Sequence, residues 1–498
     1  VAIRGGRVSV NGHDVPGNRA TRSRLGYHPG AVRDPIRFEH RMSDSDALMW
    51  HLEKDPLLRS TITVVWWLDR VPDRDRLTDR IERATRIIPR LRQRVVSNPY
   101  SIAPPRWELD PHFDVRFHVR WLAAPSGGTL RGVLDYAEPI AMQGFDRARP
   151  LWELSVIEGL AGDKAAMILK VHHSLSDGVG LVRMTAALVE TSPDAPTAPR
   201  AMPRLPAGRV LTQPERVWDA LGHEWRRGLG RVRRVATAVP EALGALATEP
   251  VESAAGVRDL AASVGRLLRP ATEPLSPLMR ARSPSVRFDT LALPVDGLRA
   301  AAKRAHCTMN DAFVAGVAGG LFRYHAAHAV DVSHLRISMP ISVREGESGR
   351  IAGNQFVPAR FIVPVGIADP VARMKAVHEL VSRQRAEPAL RLLDEVAAVL
   401  NRLPAVLATT LFGAMLRGVD FVASNVPGPR FEVWVAGARL EGVVGFGPLA
   451  GAAANVTLFS YLHEAHLGIG TDPAAVPDSS VFVQALREAF DEVLRHGA

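Results

Sequence analysis

Two adjacent histidines, His172 and His173, are followed at short range by Asp177 and Gly178. Of all the stretches in this chain, this one points most directly at proton-transfer chemistry. The apolar run Ala166 to Val171 leads into the pair, and a helical pattern begins at Val179. The run reads as a strand, so an imidazole is presented at a strand end, on a rigid element that can aim it. Histidine titrates closest to neutrality, which suits an aimed imidazole to general-base work. Successive strand side chains point to opposite sides, so one member of the pair faces any given site. The same geometry disfavours both histidines, or either with Asp177, on one metal ion, and zinc-enzyme histidines are usually spaced by three residues on a helix. No metal is expected. No Gly-x-Ser-x-Gly elbow is present, so a nucleophilic serine is not expected either. Ser174 and Ser176 flank the histidines and are candidate hydrogen-bond donors to a developing oxyanion.

Three further segments stand out. Phe145-Asp146-Arg147-Ala148-Arg149-Pro150-Leu151-Trp152-Glu153 precedes the histidines, Asn310-Asp311 opens a small-residue-rich helix, and Ser424-Asn425-Val426-Pro427-Gly428-Pro429 comes late in the chain. His-His-x-x-x-Asp-Gly is the signature of acyltransferases built like chloramphenicol acetyltransferase and of peptide-synthetase condensation domains. With the other three segments in this order, the chain from about Arg41 to its C-terminus resembles the bacterial wax ester synthase/diacylglycerol acyltransferase family.

The resemblance implies an α/β (α+β) fold of two chloramphenicol acetyltransferase-like domains, each a mixed sheet flanked by helices, with an active-site tunnel between them. It implies transfer of a fatty acyl group from acyl-CoA to diacylglycerol or a long-chain alcohol, with His173 as general base and His172 as its structural neighbour. Asp177 is then expected to hold an arginine rather than to orient the base. Arg92 is the candidate, with Arg90 and Arg94 as rivals. Gly178 is expected to supply a tight turn and to leave a tunnel uncrowded. Asn310 is either a helix cap, the stronger local reading, or a second oxyanion donor beside Ser176. Asp311 completes that motif, Asn425 is expected to fix a loop at the tunnel mouth, and Pro150 and Trp152 are expected to be structural, near the domain interface. Acyl-CoA is the expected co-substrate, with no permanently bound cofactor. The rivals are an enzyme of this fold acting on a polyketide or glycolipid hydroxyl, and a non-catalytic lipid-surface protein.

Composition fits this reading. Of 498 residues, 46% are hydrophobic and 23% charged, as in a globular protein with a sizeable core. The formal net charge is +10, almost all of the positive charge being arginine. No nucleic-acid module is recognisable, so nucleic acid is set aside as a partner. Cys307 is the single cysteine. It excludes an intramolecular disulfide, fits a reducing compartment, and is expected to be a small buried filler. No signal peptide is visible, and no run reaches the roughly 18 apolar residues of a membrane span. A cytoplasmic protein with peripheral contact to a membrane or lipid-droplet surface is expected.

The elements divide the chain into a flexible extension over 1–37, an N-terminal domain over 38–191 with the histidine motif, a Pro-rich and basic helical linker over 192–285, and a C-terminal domain over 286–498. The N-terminal domain is read as a capped helix after Ser43, a strand Ser60–Leu68, a helix Arg76–Ile88, a strand Phe113–Leu122 and a hairpin delivering Ala166–Val171. The linker is read as helical over 214–269. In it, Trp218, Leu221, Trp225, Leu229 and Val232 form one apolar stripe among arginines. Such a stripe either packs on the protein or lies on a lipid surface. Leu403 to Leu416 is expected to be a core helix.

Overall fold

The computed structural model describes residues 37–97, 103–125, 127–194, 201–206, 208–248, 273–342, 351–352, 356–386, 413 and 416–497. All but Arg37 of the expected N-terminal extension, most of Leu403–Leu416 and residues 249–272 lie outside the described residues.

The β-branched and aromatic run Thr61–Leu68 forms a strand at the centre of a six-stranded sheet. Seven of its eight residues are buried, because both faces of the sheet are covered. Ile62, Val64 and Trp66 enter one core and Val65 the other. On one side it pairs antiparallel with Lys164–His172, which pairs in turn with Trp152–Leu160, and Val119–Ala123 closes that edge. On its other side lies Ala438–Phe446, followed by Trp434–Val435. The halves read from the sequence are therefore not separately closed, because two strands from beyond residue 286 complete the N-terminal sheet.

The second six-stranded sheet runs Phe356–Pro364, His334–Ser342, Phe421–Pro427, Ala454–Tyr461, Glu464–Thr471, Arg287–Pro294 in space. Against it packs Met309–Ala327, a helix buried on nearly every side. The two sheets meet where a Cβ on Gly468 would lie 2.0 Å from the Gly445 carbonyl oxygen, so only glycine permits that approach.

Phe113–Leu122 is not one strand. Val115–His118 forms a helical turn and only Val119–Ala123 is extended. Asp114 caps the turn by accepting the Arg116 N–H at 2.9 Å. The His118 ring then stacks on Phe113 and Trp152, with centroids 5.2 and 4.4 Å away. Among the described residues the linker contains one long helix, Gln213–Thr248, and the rest of the expected helical stretch, 249–269, lies outside them.

Candidate active site

Lys164–His172 ends at the first histidine. Two backbone bonds fix that end: the His172 N–H donates to Leu151 O at 3.1 Å, and the His173 N–H to Ser60 O at 2.8 Å. The Pro150-Leu151-Trp152 segment thus anchors the pair directly. Trp152 is itself held, its indole N–H donating to Leu91 O at 2.8 Å while its ring stacks on His118.

The two imidazoles have different surroundings. His172 is fully buried. Its Nδ1 meets the Ser174 hydroxyl at 2.6 Å and the Ser174 backbone N–H at 3.1 Å. Nε2 lies 2.9 Å from Glu53 Oε2, at ion-pair distance. Trp50 and Phe145 enclose the ring edge-on at 5.6 and 6.0 Å. Burial pushes the Glu53 carboxyl up, but His172, Arg147 and Arg59 outweigh it and hold the carboxyl below its usual value.

His173 lies deep in the protein, yet by its exposed surface it is only half-buried. Burial lowers its pKa, Asp177 opposes that and His172 adds to it; the net direction is down. The neutral, proton-accepting form is therefore favoured.

Asp177 is buried and caps the helix Gly178–Thr185, accepting the Gly180 N–H at 2.6 Å. Arg92 does not hold it. The Arg92 guanidinium bonds Glu82 at 2.5 Å and Thr85 at 3.0 Å, with its face over Phe113 at 4.3 Å. Arg90 donates to Glu39 O and lies over Trp107, and Arg94 belongs to the strand Gln93–Val96. The Arg92 guanidinium is instead taken up by the Glu82 carboxylate of the preceding helix, which leaves the expected pairing unmade.

Gly178 starts its helix with no positive φ, so it does not supply a strained turn. Its role is close approach: a Cβ there would lie 2.9 Å from Val426 Cγ2. Val426 belongs to Phe421–Pro427, so the Asp-Gly and Asn-Val-Pro-Gly-Pro segments touch. That late segment is a strand through Pro427 rather than the expected loop. Val426 joins the N-terminal core, while Phe421 and Ala423 join the C-terminal core. Asn425 shares the alternation of the latter pair and is half-buried. The buried Ser176 hydroxyl lies over the helix start, where a Gly180 Cβ would touch it. It forms no hydrogen bond among the described residues.

Asn310 is not a cap. Thr308 caps Met309–Ala327 in a reciprocal box with Asp311, and Asn310 Nδ2 reaches Met339 Sδ at 3.7 Å. Asp311 also meets His378 Nδ1 at 2.7 Å. Cys307 lies beside them, half-buried, its thiol pushed up by burial and by Asp311. Among the described residues, Cys307, Asp311 and His378 are the one group of three metal-ligating side chains whose ligand atoms converge. The carboxylate of Asp311 is already engaged by Thr308 and His378.

Sequence reasoning missed the polar face behind His172. Thr61 and Thr63 pair across the sheet with His172 and Lys170 and share their face. Lys170 is fully buried, its Nζ 4.4 Å from the Phe145 ring centre and 3.9 Å from Glu153. Buried polar atoms of Glu53, Arg59, Thr61, Thr63, Lys170 and His172 all lack hydrogen-bond partners there. Such atoms call for water or a polar ligand. A surface cleft lined by Arg59, Thr61, Thr63, Arg282 and the 446–452 segment approaches this face. Nothing in the local spacing marks Glu53 or the threonines, since tertiary folding alone brings them to the histidines.

The wax ester synthase/diacylglycerol acyltransferase catalytic domain matches residues 42–313, and the WS/DGAT C-terminal domain matches residues 352–494. A putative diacylglycerol O-acyltransferase of Mycobacterium tuberculosis is 37% identical over 458 residues, 92% of each chain. A second protein of that organism, a probable diacylglycerol O-acyltransferase, is 26% identical over 428 residues, 84% of this chain and 87% of its own. The fold is similar to that of the wax ester synthase/diacylglycerol acyltransferase from Marinobacter aquaeolei VT8, with a TM-score of 0.60 at 22% identity, covering 92% of this chain and all of the other. It is also similar to the first condensation domain of the calcium-dependent antibiotic synthetase, with a TM-score of 0.59 at 16% identity, covering 92% and 97%. From its histidine motif to its C-terminal helix, the chain belongs to the wax ester synthase/diacylglycerol acyltransferase family.

Proposed function

We propose that this acyltransferase carries a fatty acyl group from acyl-CoA to the hydroxyl of diacylglycerol or a long-chain alcohol, with His173 as the general base. The supporting observation is the His173 imidazole at the end of its strand, with burial favouring its neutral form and Asp177 and His172 acting on it. Neutral His173 takes the acceptor's hydroxyl proton as the oxygen attacks the thioester carbon. The carbonyl oxygen becomes an oxyanion, for which the Ser176 hydroxyl is the candidate donor. Collapse breaks the C–S bond, and the imidazolium returns its proton to the CoA thiolate. The products are triacylglycerol or wax ester and CoA, and no step calls for a metal. Asp177 acts by capping the following helix and by its charge beside His173, and His172 by filling the space behind it.

Among the described residues no helix is long and apolar enough to cross a membrane. The reading places the protein in the cytoplasm, in peripheral contact with the lipid surfaces where its acceptors reside. The test is CoA release from palmitoyl-CoA with dioleoylglycerol, hexadecanol or no acceptor, with the ester identified by mass. Acceptor-dependent release with the matching ester supports it. Release only with polyketide or glycolipid hydroxyls transfers the chemistry to those acceptors, and lipid binding without release with any acceptor overturns it.

A further inference from the structure

The helix Gln213–Thr248 has its amphipathicity inverted along its first half. Its polar residues face the protein. Asp219 receives Arg41 and Arg106, Arg216 grips Glu108 at 2.9 Å, and Arg227 reaches the buried Asp44. Only Ala220 on this stretch is a fully buried apolar residue. Its apolar stripe faces outward instead. Trp218 is 73% exposed, Trp225 72%, Leu229 54% and Leu221 43%. Spacings of three, four and four residues put all four on one side of the helix.

A helix that used its apolar stripe for folding would bury it. This one is anchored by ion pairs, and its large apolar groups remain in water, where two exposed tryptophans in register are uncommon without a partner. Tryptophan favours the lipid–water interface, where its apolar body and N–H are both accommodated. The charge agrees: Arg226 is exposed beside the stripe, Asp219 is neutralised inward, and Arg231, Arg233 and Arg234 follow in the same helix. Each cation near an anionic lipid surface adds about 1 kcal/mol of attraction.

We propose that the Trp218–Leu221–Trp225–Leu229 face docks this protein on anionic lipid surfaces. The proposal rests on the lipid-acylating reading for its purpose, and its test is independent of catalysis. Purified full-length protein would be floated with vesicles of phosphatidylcholine alone or mixed with phosphatidylglycerol, beside Trp218→Ser/Trp225→Ser and Arg226→Glu variants. Light scattering would report mass, and thermal unfolding would report the fold. Partial burial of two tryptophans predicts binding on the order of 100-fold weaker in the double variant. A smaller loss is expected for Arg226→Glu, confined to anionic vesicles, with unfolding temperature and mass unchanged. Retained flotation of the double variant, equal flotation on neutral and anionic vesicles, or no flotation of the natural protein would overturn it. So would a natural dimer that the double variant converts to monomer while flotation persists, since the stripe would then bind a second copy.

Discussion

Replacing Gly178 with alanine places a methyl 2.9 Å from Val426 Cγ2, 3.7 Å from its Cγ1 and 4.0 Å from its Cβ. Carbon atoms prefer roughly 3.5–4.0 Å, so one side must yield by more than half an ångström. Val426 is buried and β-branched, with little rotameric freedom to retreat. Overpacking of this kind costs about 1–3 kcal/mol. Alanine's better helix propensity recovers some of that, at most about 1 kcal/mol. Val426→Ala removes both γ-carbons and costs about 1–3 kcal/mol by itself through lost burial and a cavity. In the double variant the new methyl enters the vacated space. The propensity gain is common to both arms and cancels in the cycle, leaving a coupling of about 1 kcal/mol or more in favour of the double variant. Urea unfolding of the four proteins measures it. Because the strained contact lies five residues from His173, kcat/KM should fall in Gly178→Ala and partly recover in the double variant. Strict additivity, or a Gly178→Ala protein with undiminished activity and stability, would refute the claim that close approach to Val426 is why glycine stands there.

Asp177→Asn preserves a good helix cap but removes a charge that raises the His173 pKa against burial; the acid limb of kcat/KM against pH should move to lower pH. Glu53→Gln should cost about 1–3 kcal/mol near neutrality. The Glu53 carboxyl is held below its usual value, so its contribution is present above the unfolded pKa, from about pH 5 upward, and is lost as pH falls through the folded pKa. Denaturation at several pH values should show the gap between natural protein and variant closing on the acid side. Ser176→Ala should lower kcat by about 10–1,000-fold with KM little changed if its hydroxyl meets the oxyanion, as steady-state kinetics would show; an unaltered kcat removes it from that role.

The strand and helix around the histidines were legible because local pattern and tertiary fate agree there: an apolar run, two histidines, then a capped helix. The late Asn-Val-Pro-Gly-Pro segment and Ala438–Phe446 were not read as strands. Serine, asparagine and proline in the first, and Arg439, Glu441, Gly442 and Gly445 in the second, break the alternation, and register with distant strands makes them extended. The Arg92 partner was misassigned because sequence offers many carboxylates and only the fold selects Glu82. The linker stripe was visible as a period, but the face it presents depends on Asp44, Glu108 and Arg41, contributed by elements more than a hundred residues away.

The most direct test of the proposed chemistry is single-turnover CoA release from palmitoyl-CoA at saturating acceptor, comparing the natural protein with His173→Ala and His172→Ala after each is shown to be folded. Loss of acceptor-dependent release by about 100-fold or more in His173→Ala is predicted for removal of the base. His172→Ala should lose stability and retain part of the rate. Release by a folded His173→Ala protein at the natural rate would contradict the assignment of His173 as the base.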